Sequence, residues 1–142
     1  MAGGTKTNYK LKGDILSFTF VLLPEKFAIC RFDPDTEVPH WSMRGEFFSI
    51  TRTSDELSIV CAESYVAQAP RCERSWRCLK LQGPFAFSAV GVLSSITAPI
   101  AEAGVGLFAI STYDTDYLLI KEDSLEEAIG ALLQAGHKVQ SD

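Results

Sequence analysis

The chain has 142 residues, enough for one ordinary domain or two small ones that share a core. Hydrophobic residues make up 46% and charged residues 22%, the balance of a globular domain, and no apolar run reaches the roughly 18 residues that span a bilayer. A net charge of −5 argues against nucleic acid as a partner, because binding to a phosphate backbone rests on clustered Lys and Arg. The densest basic run, residues 71–80, is broken by Glu73 and Trp76 and reads as a strand with a wet face.

Residues 1–13 are polar and Gly-rich, with neither a signal-peptide core nor an Arg-rich amphipathic pattern, so a loose tail and a cytoplasmic protein are expected. Residues 15–23 form an apolar run closed by Pro24, and residues 26–32 alternate well enough for a second strand. Pro34 and Pro39 then leave room for only a turn or two of helix before Gly45. Residues 46–53 and 56–61 are two β-rich runs joined at Ser54-Asp55, a hairpin pattern. A brief helix-compatible stretch follows Ser64, and residues 75–81 read as the next strand.

Gly83-Pro84 stops that strand, and a helix is expected from near Phe87 to Gly104, with Leu93, Ile96 and Ile100 as its apolar stripe and Pro99 bending its last turn. Residues 107–112 and 117–121 make a second hairpin. A second helix is expected from Ser124, whose hydroxyl pairs with Glu127 in a capping-box pattern, to Gly136, with Leu125, Ala128, Ile129 and Leu132 facing inward. Residues 138–140 add a last short strand. The two hairpins align without gaps at an offset of 60, Ile50 over Ile110, and the elements around them repeat in order. The fold class read from this order is α+β, two ferredoxin-like βαββαβ units in tandem, the first with shortened helices. The expected division is a tail at 1–13, an abbreviated unit at 14–74 and a complete unit at 75–142.

The run from Gly91 to Lys121, GVLSSITAPIAEAGVGLFAISTYDTDYLLIK, resembles the ACT-domain family of regulatory amino-acid-binding modules, and within it the tandem ACT proteins related to the CASTOR arginine sensors. Gly91-Val92-Leu93 is similar to that family's helix start, and residues 110–117 to its I-S-T hairpin. The resemblance implies a ligand held at an interface between ACT units, in a homodimer that signals to a downstream protein partner. Carried over position by position, Ser88, Ala89, Val90 and Gly91 would line the pocket from the helix side. Ile110, Ser111, Thr112 and Asp116 would line it from the hairpin side. The arginine sensors carry an acidic residue where Ala89 stands, which argues against arginine as the ligand.

The chemistry fits a zwitterion. A carboxylate suits the unpaired N–H groups at a helix start, and Gly91 lets it approach; an ammonium suits Asp116. Asp114-Thr115-Asp116 reads equally as a polar turn, Ser111 and Thr112 as ordinary strand residues, and Gly91 as a packing glycine. A structural or protein-interaction module without a ligand therefore stays open as the alternative. No motif of a hydrolase, zincin, P-loop or dinucleotide-binding enzyme is present, so no catalytic residue is assigned and no enzyme is expected. Cys30, Cys61, Cys72 and Cys78 lack paired close spacing and His40 and His137 lie far apart. Neither metal nor cofactor is expected, and the thiols read as buried and reduced.

Overall fold

The computed structural model describes residues 17–67, 71–83 and 90–141. Among these residues, seven strands and two α-helices follow one another as β1 (Thr19–Phe32), β2 (Ser49–Arg52), β3 (Leu57–Ala62), β4 (Cys72–Leu81), α1 (Val92–Glu102), β5 (Phe108–Ser111), β6 (Asp116–Lys121), α2 (Leu125–Gln134) and β7 (Lys138–Ser141). Short 3-10 turns lie at His40–Ser42, Glu63–Tyr65 and Glu122–Ser124.

Two compact units share the chain. Residues 17–24 and 77–141 form one, and Glu25–Trp76 form the other, so β1 and β4 each give one half to each unit. The sequence reading takes consecutive stretches, 14–74 and 75–142, as the two units, and separately ends a strand at Pro24. That strand end does not occur: β1 runs through Pro24 without interruption. Its parallel register with β7 ends at Leu22 and its antiparallel register with β3 begins at Phe27, so the residue with no N–H sits between two ladders and removes a bond from neither.

In the first unit the strand order is β7-β1-β4-β6-β5. The βαββαβ path runs β4-α1-β5-β6-α2-β7, and the first half of β1 lies between β4 and β7. Alternate residues of the strands share one face. Phe18 and Phe20, Leu79 and Leu81, and Leu118 and Ile120 are buried there with Val92, Ile96 and Ile100 of α1 and Ala128 and Leu132 of α2. The expected stripe of α1 is corrected by one position. Gly91 has φ +80°, which no α-helix continues, so the helix opens at Val92 rather than near Phe87. Val92 then starts the four-residue spacing to Ile96 and Ile100, and Leu93 is turned outward, 41% exposed.

Both helices end as expected, at Gly104 and Gly136, in the left-handed conformation. In each case the next residue bonds back five positions, Val105 N to Ile100 O at 3.1 Å and His137 N to Leu132 O at 3.0 Å, and is itself buried. The capping box at Ser124 does not form. Ser124 ends a 3-10 turn with ψ near 6°, not the extended backbone a capping hydroxyl needs, and makes no side-chain cap bond.

His137 also binds across the unit. Its Nδ1 accepts the Phe18 N–H at 3.1 Å, so the proton of the neutral ring sits on Nε2, which faces the Ser95 carbonyl at 3.4 Å. That carbonyl is the one Pro99 leaves without a helical donor, four residues on. Burial lowers the His137 pKa below its ordinary value, with the Ser95 contact opposing.

In the second unit the order is β2-β3-β1-β4. Leu57, Ile59 and Cys61 form its core with Phe32, Trp41, Ile50 and Val66 packed against them, and 3-10 turns stand where the first unit has α-helices. Within β4, which runs on without a break, Ser75 has φ +67°, and its N–H donates to Glu63 Oε1 at 2.7 Å.

The two hairpins match, but not at the offset of 60. Arg52 pairs with Leu57 and Ser111 with Asp116, each across a four-residue turn opened by threonine, so equivalent residues lie 59 apart. At this offset Ile59 and Cys61 match Leu118 and Ile120, all core residues; a slip of one would turn those positions to the other face. The 3-10 turns at Glu63 and Glu122 follow the same spacing.

Candidate functional site

The β5–β6 turn is built from hydroxyls. Thr112 N–H and Oγ1 both donate to the Thr115 carbonyl, at 2.8 and 3.1 Å, and Thr112 Oγ1 accepts the Thr115 N–H at 3.3 Å. One residue further along each strand, the Ser111 hydroxyl donates to Asp116 Oδ1. Ser111 is exposed and Asp116 half-buried, so this polar pair lies at the surface of the turn. Ile110 is half-buried and pairs with Tyr117.

Thr115 places the turn. Its Oγ1 donates to the Leu81 carbonyl at 2.7 Å, a buried bond between the turn and the last residue of β4. Because β4 neighbours β6 and leads on toward α1, the hairpin turn and the end of β4 lie at the same end of the sheet. The sequence reading does not single out Thr115. A β-branched hydroxyl between two aspartates was its only signal, and that pattern is shared with any solvated turn.

At the start of α1, Gly91 turns the chain and its carbonyl accepts the Ser95 N–H at 3.0 Å, the Ser94 hydroxyl at 3.2 Å and the Ser95 hydroxyl. Both serine hydroxyls thus point back at the carbonyl, and among the described residues no side-chain cap bond is made at the helix start. Val90 is 88% exposed and Tyr113 79%. Among the described residues, a Cβ on Gly91 would meet only Ser94 Oγ, at 3.9 Å, so there the glycine serves its positive φ and not a close packing contact.

Of the eight expected pocket residues, Ser111 and Asp116 touch each other, Thr112 is taken up by its own turn and Ile110 precedes Ser111 in β5, while Val90 and Gly91 stand apart from them at the start of α1. Ser88 and Ala89 lie outside the described residues. Two open concavities lie elsewhere, between the C-terminal turns of α1 and α2, with volumes near 720 and 340 Å³. Each is lined mainly by small or uncharged side chains with one carboxylate, Glu127 or Glu102, and its described lining holds no basic side chain to meet a ligand's carboxylate. Among the described residues no group of three His, Cys, Asp or Glu could hold a metal ion, and no helix is long and apolar enough to cross a membrane.

A family model of the ACT domain matches residues 71–134, and a second, of an N-terminal domain, matches residues 25–69. The chain is similar to the cytosolic arginine sensor for mTORC1 subunit 1. It is 32% identical to the Bos taurus protein over 100 residues, which covers 63% of this chain and 30% of that one. It is 31% identical to the Homo sapiens protein over 102 residues, covering 64% and 31%. The chain thus spans about a third of the length of the curated relatives it matches. A crystal structure of an Agrobacterium tumefaciens protein superposes with a TM-score of 0.84 at 38% identity, covering 89% of this chain and 94% of that one. The regulatory subunit of aspartate kinase from Thermus thermophilus, in its ligand-free form, superposes with a TM-score of 0.62 at 11% identity and shares the fold alone; that match covers 86% and 99%.

Proposed function

The chain belongs to the ACT-domain family, related to the cytosolic arginine sensors, and on that premise we propose that it is a non-catalytic regulatory module for a free amino acid. The ligand lies between the start of α1 and the β5–β6 hairpin, with an ACT unit of a second copy of the chain closing the slot. Its carboxylate takes the uncapped N–H groups beside Gly91, where the helix dipole adds about 0.3–1 kcal/mol. Its ammonium takes Asp116 in place of the Ser111 hydroxyl, a charge-assisted bond of about 1.5–3 kcal/mol. Ser88, Ala89 and Val90 complete the helix side and Ile110 and Thr112 the hairpin side. Ala89 adds no charge for a guanidinium, so the side chain favoured is not that of arginine.

The observation that carries this reading is the Thr115–Leu81 bond, which supports a common location for the acidic hairpin and the chain leading to the helix start. A few contacts of this size, less the cost of ordering the ligand, correspond to dissociation constants in the micromolar to millimolar range, about −4 to −8 kcal/mol. Such affinities suit the reading of a metabolite pool, in a cytoplasmic protein that passes the signal to a protein partner. A thermal-shift screen of the twenty amino acids, with mass spectrometry of the protein purified under native conditions, tests it. Stabilisation by one or a few amino acids is expected, and stabilisation by none would refute it.

A second reading follows from the Ser111–Asp116 bond. A carboxylate with its own hydroxyl donor already has a partner, as in a module that only assembles with other proteins and binds no metabolite. Ser111→Ala separates the two: it frees Asp116 and strengthens or preserves amino-acid binding in a sensor, whereas in an assembly module it only loosens the hairpin.

A further inference from the structure

The second unit brings together two thiols that lie 42 residues apart in the chain. The Arg31 N–H donates to the Arg71 carbonyl at 2.9 Å, which sets the antiparallel alignment of β1 with the start of β4. The next pair along is Cys30 and Cys72, at the non-hydrogen-bonded position where facing side chains come closest. Their Sγ atoms are 2.6 Å apart, closer than two unbonded sulfurs ordinarily come, and both thiols are free. A covalent S–S bond, about 2.05 Å, needs only a further half ångström of approach.

The two sulfurs are not equivalent. Cys30 is buried and Cys72 half-buried, so a reagent in solution meets Cys72. Burial, and then the neighbouring Cys72, hold the Cys30 thiol far above the ordinary thiol range. Cys61 is on β3, which flanks β1 on its other side, fully buried and pushed up to about 11 by burial. Spacing along the sequence gave no hint of this arrangement, because it is set by strand pairing alone.

We propose that Cys30 and Cys72 are a reversible thiol-oxidation site, closed to an intramolecular disulfide by exchange with a low-molecular-weight disulfide. The Cys72 thiolate attacks one sulfur of the small disulfide, breaking its S–S bond and releasing one small thiolate. Cys30 sulfur then attacks Cys72 sulfur, and the second small thiolate leaves, taking up the Cys30 proton. Two protein thiols are oxidised, the small disulfide is reduced to two thiols, and the Cys30–Cys72 bond clamps β1 to β4 within the second unit. An excess of a small dithiol reduces the Cys30–Cys72 bond back to two thiols and is itself oxidised to its disulfide.

The test is incubation of the folded full chain with excess glutathione disulfide, followed by alkylation, intact mass and peptide mapping. The expected product carries two alkylated thiols in place of the four of the reduced protein, and a peptide pair joining Cys30 to Cys72. Dithiothreitol restores four. Cys30→Ser stops at glutathione bound to Cys72, and Cys61→Ala leaves the internal link unchanged. Four alkylatable thiols after exposure, a link through Cys61 or Cys78, or glutathione persisting on Cys72 of the unaltered chain would each overturn the proposal.

Discussion

The imidazole of His137 takes the Ser95 carbonyl, at 3.4 Å, that the ring of Pro99 leaves without its helical donor. The opposite ring nitrogen holds the Phe18 N–H at 3.1 Å, so one neutral side chain joins the residue before β1, the middle of α1 and the entry to β7. A proline inside a helix normally leaves a carbonyl to solvent; here a buried donor occupies that position.

This bond makes stability depend on pH. The native pKa of His137 lies below the unfolded value of about 6.5, because burial disfavours the imidazolium. Protonation would also remove the acceptor of the Phe18 N–H. The His137 contribution is therefore complete above about pH 6.5 and is lost as pH falls through the native pKa, the unfolded chain taking up the proton first. Urea midpoints measured from pH 8 to pH 5 should fall more steeply for the unaltered chain than for His137→Gln. Equal slopes would contradict the assignment.

Thr115→Val removes the donor to the buried Leu81 carbonyl and is expected to cost about 1–3 kcal/mol, whereas Thr115→Ser keeps the bond and most of the stability. Chemical denaturation of the two variants provides the comparison. Similar losses for both would mean that the methyl group, and not the hydroxyl, holds the turn.

The two hairpin turns make a matched pair for mutation. Thr53 Oγ1 accepts the N–H groups of Asp55 and Glu56 at 3.0 and 3.1 Å, and Thr112 Oγ1 accepts that of Thr115 at 3.3 Å. Thr53→Val and Thr112→Val are each expected to cost about 0.5–1.5 kcal/mol, with Thr53→Val the larger because it frees two donors. Denaturant midpoints check this, and a neutral Thr53→Val would break the equivalence at 59 residues.

Much of this architecture was legible because it is local. Alternation marked both hairpins, and Gly104 and Gly136 marked the helix ends, since each signal depends on neighbours in the chain. What was not legible depends on distant partners. Pro24 looks like a strand end until the two ladders on either side of it are known. Ser124 looks like a cap until the 3-10 turn before it fixes its backbone. The offset of 60 rests on residue likeness, whereas the hydrogen-bonded register selects 59.

The candidate site divides in the same way. Ser111, Thr112 and Asp116 were singled out through the resemblance, and the hydroxyl and carboxylate bonds among them are local because a short turn brings near neighbours together. Thr115, His137 and the Cys30–Cys72 pair were missed because their partners lie 34, 42 to 119, and 42 residues away.

The amino-acid site is tested most directly by titration calorimetry of the full chain with the amino acid that stabilises it in the thermal screen, repeated on Asp116→Ala. Loss of one charge-assisted bond should weaken binding about tenfold to a hundredfold while the fold, monitored by its unfolding midpoint, is kept. Equal affinity in the two proteins, or no saturable heat from any of the twenty amino acids with the unaltered chain, would contradict a ligand slot at Asp116.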